Sequence, residues 1–330
     1  MQVYLNHEDL PSSRKRNVMV LGLPRLGIYS KIIKAFFEDL GCQIVQPSKV
    51  SQEIIAPGVM NSADMVCYPF KTTLGQEIWA LEHGATDLII FSTHGLCRFK
   101  HFHQLQEHTL RNLGYEFTMH TLSTRNFITK LMRITGASPP RLIKVMLRTL
   151  SQIKEVELRT YHTNSDNSLR IGIVGEVYCC WESDINFDIV RKLQRMGVNV
   201  DLSVTLSHFI KKALKLDFFE KREEKREAKH LLSEEIGGHG FDSIYNTIFY
   251  GKSGFNGVIH LLPLSCMPES SVEPLVNMVA EKYNIPLYRF PLDESSFSVG
   301  FDTRLSTFVS MIKRKREKEG KKKGGAVSGD

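Results

Sequence analysis

Three isolated cysteines are the residues of this chain best placed to do chemistry. Cys67 (VCYPFK), Cys97 (GLCRFK) and Cys266 (LSCMPE) each lie in a turn beside Pro, Gly or Ser. Thiolates are soft, negatively charged donors, and the iron of clusters takes them by preference. The local C-x2-C spacing that commonly supplies such donors is absent, so a site would have to gather single thiols from separate strand ends. Pro69 and Pro268 are expected to stiffen two of the turns. Three unrelated buried thiols are the competing reading. Of the other cysteines, Cys42 falls in a predicted strand and reads as core, and the adjacent Cys179 and Cys180 are poorly disposed to face one site together.

Several other residues are weaker candidates. Glu176, in VGEVY, lies just beyond a strand end and suits an acid/base or hydrogen-bond acceptor role, or the cap of the following helix. Glu269 follows Cys266 closely, where an acidic residue also favours a helix start. The turn GGHG (237–240) offers backbone amides to a ligand, or is simply a turn. Arg98 could donate to an anion or pair on the surface. His101, His103 and His108 have helix-like spacing but no accompanying pattern of a zinc site.

The elements that must position these residues follow from the apolar periodicity. Strands are predicted at 17–22, 42–45, 87–92, 115–119, 170–175, 198–202, 258–262 and 286–290. Between them come helices at 28–40, 51–55, 74–83, 103–113, 124–157 (interrupted at Pro139–Pro140), 186–196, 205–235, 270–283 and 303–315, and GGHG opens a further helix. Strands alternating with helices imply an α/β fold with two similar Rossmann- or flavodoxin-like parallel sheets facing across a cleft. The division expected is a lead-in at 1–16, a first α/β domain at 17–161, a polar linker at 162–169, a second α/β domain at 170–315 and a disordered basic tail at 316–330. GATDLIIFSTHGLC and GFNGVIHLLPLSC share a form: a glycine, a buried strand, a small turn, then a cysteine. Gly84 and Cys97 are 13 positions apart, Gly254 and Cys266 12. In similar halves, Cys97 and Cys266 would therefore be equivalent. GLPRLG after the first strand matches neither G-x-G-x-x-G nor a P-loop, so a tight strand-to-helix turn is its default reading.

With 330 residues, 42% of them apolar, the chain can bury a sizeable core. The formal charge is +7, of which eight Lys/Arg and three acidic residues after position 312 supply +5, leaving +2 for the rest. No stripe of basic and aromatic residues supports nucleic-acid binding. No apolar run approaches the roughly 20 residues that span a bilayer, and the start has no apolar signal-peptide core. A cytoplasmic protein binding neither membrane nor nucleic acid is expected, in which six cysteines point to metal, catalysis or core rather than disulfides.

The chain resembles the 2-hydroxyacyl-CoA dehydratase and benzoyl-CoA reductase superfamily, in particular its short iron–sulfur proteins related to acyl-CoA dehydratase activases. The resemblance covers most of residues 17–312. It is carried by GLPRLGIYSKIIKAFFEDLGCQIV, VCYPFKTTLGQEIWALEHGATDLIIF, GLCRFKHF, IGIVGEVY, GGHGFDSI, GVIHLLPLSCMPE and DESSFSVGFDTRLSTFV. It implies a [4Fe–4S] cluster, single or in a bridged pair, with its thiols on Cys67, Cys97 and Cys266. Many relatives have C-G-P-C-R-F where this chain has H-G-L-C-R-F, so His94 stands in place of a cysteine, as a ligand, a proton donor or neither. The role implied is low-potential electron transfer, or reductive or dehydratase-type chemistry, with His94, Glu176 and Glu269 as the catalytic candidates. The partners implied are an ATP-dependent reductase, a CoA thioester or other small substrate, and a second chain in a homo- or heterodimer. A non-catalytic accessory or assembly protein, with a structural or relay cluster, is the alternative, and a cluster-free α/β ligand-binding module a third reading.

Overall fold

The computed structural model describes residues 19–92, 97–123, 126–161, 168–213, 220–234, 236–296 and 298–325. The expected lead-in, most of the expected linker and His94 lie outside the described residues. The first half runs β1 (Val20–Gly22), α1 (Ser30–Asp39), β2 (Gln43–Val45), α2 (Gln52–Met60), α3 (Tyr68–Glu82), β3 (Asp87–Phe91), α4 (Phe102–Asn112) and β4 (Thr118–Leu122). Two helices follow, α5 (Phe127–Thr135) and α6 (Pro139–Tyr161). The second half runs β5 (Leu169–Gly175), α7 (Val177–Trp181), α8 (Ile189–Arg195), β6 (Val198–Leu202), α9 (Leu206–Ala213), α10 (Arg222–Leu231), α11 (Gly240–Lys252), β7 (Gly257–Pro263), α12 (Met267–Lys282), β8 (Leu287–Leu292) and α13 (Ser298–Gly325).

All the strand pairs are parallel, and the sheets read β2-β1-β3-β4 and β6-β5-β7-β8. Counted within each half the two orders are the same, so the expected α/β class with two parallel sheets is what the chain adopts. β3 and β7 are equivalent strands. Their apolar runs are needed because parallel strands are covered on both faces. On β3, Leu88 and Ile90 pack under α3 and α4, while Ile89 faces the opposite way, toward Phe36 and Phe37 of α1. On β7, Ile259 and Leu261 enter a different core from Val258.

Two features fix the elements that carry the cysteines. α2 and α3 cross at glycines: a Cβ on Gly58 would lie 2.0 Å from the Lys71 carbonyl oxygen, and one on Gly75 2.1 Å from that of Ile54. α6 belongs to both halves. Its early residues Leu142 and Val145 pack with Phe36, Leu40 and Leu131, and its late residues Ile153 and Tyr161 pack with Ile171 and Ile173 of β5.

The structure departs from the sequence expectations where local signals are ambiguous. α3 begins at Tyr68 rather than near 74, because Pro69 occupies its first turn, where a missing N–H costs nothing. Pro268 does the same for α12. Pro139 and Pro140 likewise start α6 instead of interrupting a helix. β4 lies three residues later than expected, since Tyr115 is still tied to the end of α4 through its N–H to the Leu110 carbonyl (3.2 Å). The predicted helix over 205–235 is two, α9 and α10. α7, which sequence reasoning missed, follows β5 after a single residue.

Candidate functional site

Each of the three singled-out cysteines stands immediately before a helix. Cys67 is the N-cap of α3, Cys266 of α12, and Cys97 of a 3-10 turn, Arg98–His101, that runs into α4. None of the three side chains caps its helix by a hydrogen bond. Cys266 follows a break in the backbone: Ser265 adopts the left-handed conformation (φ 60°), and the Cys266 N–H closes a turn onto the Pro263 carbonyl (3.1 Å).

The helices hold the cysteines near one another. Phe70 of α3 meets Phe102 of α4 edge to face at 4.9 Å, Phe99 packs on Phe102 at 5.0 Å, and Gln106 donates to the Thr73 hydroxyl (2.9 Å). These contacts set the start of α3 beside that of α4, and Arg98 closes the side by donating to the Met65 carbonyl (3.0 Å). The halves join at the same place: the Tyr68 N–H donates to the carbonyl of Leu264 (3.2 Å), which precedes Cys266 by two residues. Lys71, buried in α3, pairs with Glu294 after β8 at 2.6 Å. A charge on Cys67 would be felt at Cys97 and Cys266.

Glu176 is the carboxyl that interacts with all three cysteines. It is the N-cap of α7, accepting the Cys179 N–H at 2.9 Å, so the capping reading of this residue holds. Its charge also reaches Cys67, Cys97, Cys266 and Cys179. Burial, opposed by the amides of α7 and by His239, leaves the Glu176 carboxyl raised above its ordinary value. Burial first, then the Glu176 carboxylate, pushes Cys67 up to about 12, and burial with the carboxylates of Glu176 and Glu269 raises Cys97 and takes Cys266 well above the usual thiol range. At neutral pH these thiols are protonated unless a cation joins them. Any metal binding here would therefore displace protons.

Beneath Cys266 is a buried polar cluster. Glu269 Oε2 accepts from His260 Nε2 of β7 (2.8 Å) and from the Ser243 hydroxyl of α11 (2.9 Å). His260 and Glu269 are both buried, and His260 Nδ1 and Glu269 Oε1 have no hydrogen-bond partner. Glu269 thus ties α12 to β7 and α11 rather than facing solvent. The GGHG turn sits against the same helix: a Cβ on Gly238 (φ +58°) would lie 2.9 Å from Pro268 Cγ and 3.6 Å from Cys97 Cβ. His239, the N-cap of α11, gives its Nδ1 to Asp242 (2.8 Å), and Lys212 holds both Asp242 oxygens (2.7 and 2.8 Å).

The structure sorts the remaining candidates. His94 lies outside the described residues. Cys42 is buried in the first-half core, as expected. Cys179 is close enough to Cys266 for their charges to interact, and Cys180 interacts with Tyr161, Glu176 and Glu269. The GLPRLG turn is already filled from within: Gly27 N–H donates to Glu182 Oε2 (2.7 Å), and a Cβ on Gly27 would lie 1.6 Å from the Trp181 carbonyl oxygen. A buried carboxylate occupies the place a phosphate would need. Sequence reasoning missed Glu182, His260, Asp242 and the side chain of His239. The one signal for the last was the spacing of His239 and Asp242, which lets both lie on the first turn of α11.

Among the described residues no group of three or more His, Cys, Asp or Glu side chains is arranged to hold a metal ion. A single ion needs its sulfur donors at about 2.3 Å. A cluster of several irons and sulfides is itself wide, so its thiolates stand further apart. What this region offers a cluster is its donor type, three cysteines at helix starts, with Pro, Phe and paired polar groups beside them. No helix among the described residues is long and apolar enough to cross a membrane. No protein-family model matches the chain, and no curated protein matches it.

Proposed function

We propose that this chain is an iron–sulfur protein in which Cys67, Cys97 and Cys266 are the thiolate donors of a [4Fe–4S] cluster. What supports the reading is that three N-cap cysteines from both halves, whose side chains make no capping bond, all interact with the one buried carboxyl of Glu176. When bound, such a cluster supplies low-potential electrons or, at an iron lacking a protein ligand, a Lewis acid. The chain's own residues do the rest. Arg98 contributes a positive charge beside Cys67 and Cys97. Glu176, raised by burial, is the group placed to hold or release a proton beside the thiols. Glu269 fixes the start of α12 and with it Cys266.

The resemblance to the dehydratase and reductase superfamily extends the proposal to a cytoplasmic role in reductive or dehydratase-type chemistry, with electrons from an ATP-dependent reductase partner. The occupied GLPRLG turn agrees with placing the nucleotide on that partner rather than on this chain. The alternative is an accessory protein whose cluster is structural or relays electrons.

Anaerobic purification followed by iron and sulfide analysis and EPR tests the reading. The expected result is a brown protein whose iron falls in Cys97→Ala and in Cys266→Ala. Full iron retention in both variants, or a colourless iron-free wild type, would sink it. Turnover of a 2-hydroxyacyl-CoA thioester with a reductase partner then separates the catalytic from the accessory role.

A further inference from the structure

α6 has two apolar faces, and the folded chain covers one of them. The inner face, with Leu142, Val145, Ile153 and Tyr161, enters the cores of both halves. The outer face carries Ile143, Leu147, Leu150 and Leu158, which are 58%, 63%, 39% and 48% exposed. Spacings of four, three and eight residues put these four on one stripe of the helix. Twelve large apolar side chains are exposed among the described residues, and no other helix carries more than one of them. The stripe is therefore a patch, not the single scattered side chains that any protein surface shows.

The charges beside the stripe say what would cover it. Near its start is the exposed Lys144, and near its end the exposed Glu155. The other charges there are already committed: Arg141 and Arg148 both bind Asp39, and Glu157 accepts from the Tyr29 hydroxyl and the Ser207 N–H. A second α6, turned end for end about a twofold axis near Leu150, matches this pattern. Leu150 then meets its own counterpart, and the Ile143 end of each copy lies beside the Leu158 end of the other. Leu147 comes opposite the stem of Lys154, whose ammonium stays in water. Lys144 falls beside Glu155 twice, once on each side of the axis. Glu155 also holds Arg159 of its own helix (2.6 Å), which leaves it a carboxylate with room for a second cation.

We propose that the outer face of α6 is a dimerisation surface, on which a second copy of this chain packs its own α6 antiparallel. From Ile143 to Leu158 the seam is about 22 Å long at 1.5 Å per residue. One helix pair of that length is a small interface, so the dimer is a reversible one. The proposal goes beyond the cluster reading and stands or falls apart from it, since no cysteine takes part.

Sedimentation velocity of the full-length protein over a concentration series is the test. The expected result is a reversible monomer–dimer equilibrium. Leu147→Glu places two carboxylates in the seam and should weaken association about 100-fold or more. Lys144→Glu should weaken it about tenfold, and adding Glu155→Lys should restore it. Under mild oxidation Leu150→Cys should link to its own copy, giving a covalent dimer that wild type treated alike does not form. A wild type that is monomeric at every concentration overturns the proposal, as does a dimer that Leu147→Glu leaves intact. A loss in Lys144→Glu that Glu155→Lys does not recover overturns the antiparallel register. A monomeric wild type that cosediments with phosphatidylserine vesicles, and fails to do so in Leu147→Glu, gives the face to a membrane instead. If circular dichroism shows Leu147→Glu unfolded, the charge exchange and the Leu150→Cys link decide.

Discussion

Cys97 and Cys266 hold the same place in two copies of one topology, yet they stand on different ground. Ile90 comes six residues after Gly84, and His260 six after Gly254. Ile90 is plain core, whereas His260 is bonded through Glu269 to Ser243. Three residues beyond Cys97 is the exposed Lys100, and three beyond Cys266 is the buried Glu269. Cys97 and Cys67 are partly exposed, and Cys266 is buried. The second half is thus a platform tied together by buried polar contacts, and the first half brings its thiols to it on aromatic packing. A shared topology dictates where a side chain is delivered, and the residues under it dictate how firmly it is held.

The largest expected effect breaks the platform. Glu269→Ala leaves two buried groups, His260 and Ser243, without their acceptor, and should cost about 1–3 kcal/mol for each buried polar group left unsatisfied. Lys100→Ala, at the equivalent position, should change stability by no more than about 0.5 kcal/mol. Urea denaturation of the two variants measures the contrast, and equal midpoints would dissolve it.

The first half carries a buried carboxyl, Glu77, in α3. Burial alone lifts Glu77 to about 8 from 4.5, and its Oε2 has no partner. The folded chain therefore keeps a proton that the unfolded chain releases. Its stability should fall by a few kcal/mol as pH rises from about 4.5 to 8, since each pH unit between those limits costs roughly 1.4 kcal/mol. In Glu77→Gln this part of the pH dependence should disappear, which denaturation at pH 5 and pH 8.5 would reveal. An unchanged slope would mean that Glu77 is ionised in the folded protein.

Gly238→Ala combines a left-handed backbone with a close approach to Pro268, for an expected cost of about 1–3 kcal/mol. Gly136→Ala, equally left-handed but facing open space, isolates the backbone share. Thermal unfolding of both gives the steric remainder at the Cys97–Pro268 contact, and identical losses would show that the turn is not tightly seated. The smallest effect is kinetic. In metal-free protein, Cys67 and Cys97 should react with a thiol reagent before Cys266, whose labelling should await unfolding; simultaneous labelling would erase the difference in burial on which the comparison rests.

Much of the frame was legible in the residues. The apolar runs at 87–91 and 257–263 are strong enough to be strands whatever surrounds them, and the matching turns after them located Cys97 and Cys266. Cys67 was legible as a residue but not as a cap, because Pro69 reads equally as a turn or as a first helical turn. His239 was hidden because its partner Asp242 and its wedge at Pro268 exist only once strands are ordered in space. Glu182 was hidden for the same reason: nothing local says that a carboxylate 155 positions away caps Gly27.

α6 has a consequence for how this molecule comes apart. Because one continuous helix is packed into the cores of both halves, loosening either sheet strips cover from the other. The halves should melt together in one transition, neither should survive as a separately expressed fragment, and anything reaching the cysteines must come in past their flanking turns rather than through a hinge that swings the two sheets apart.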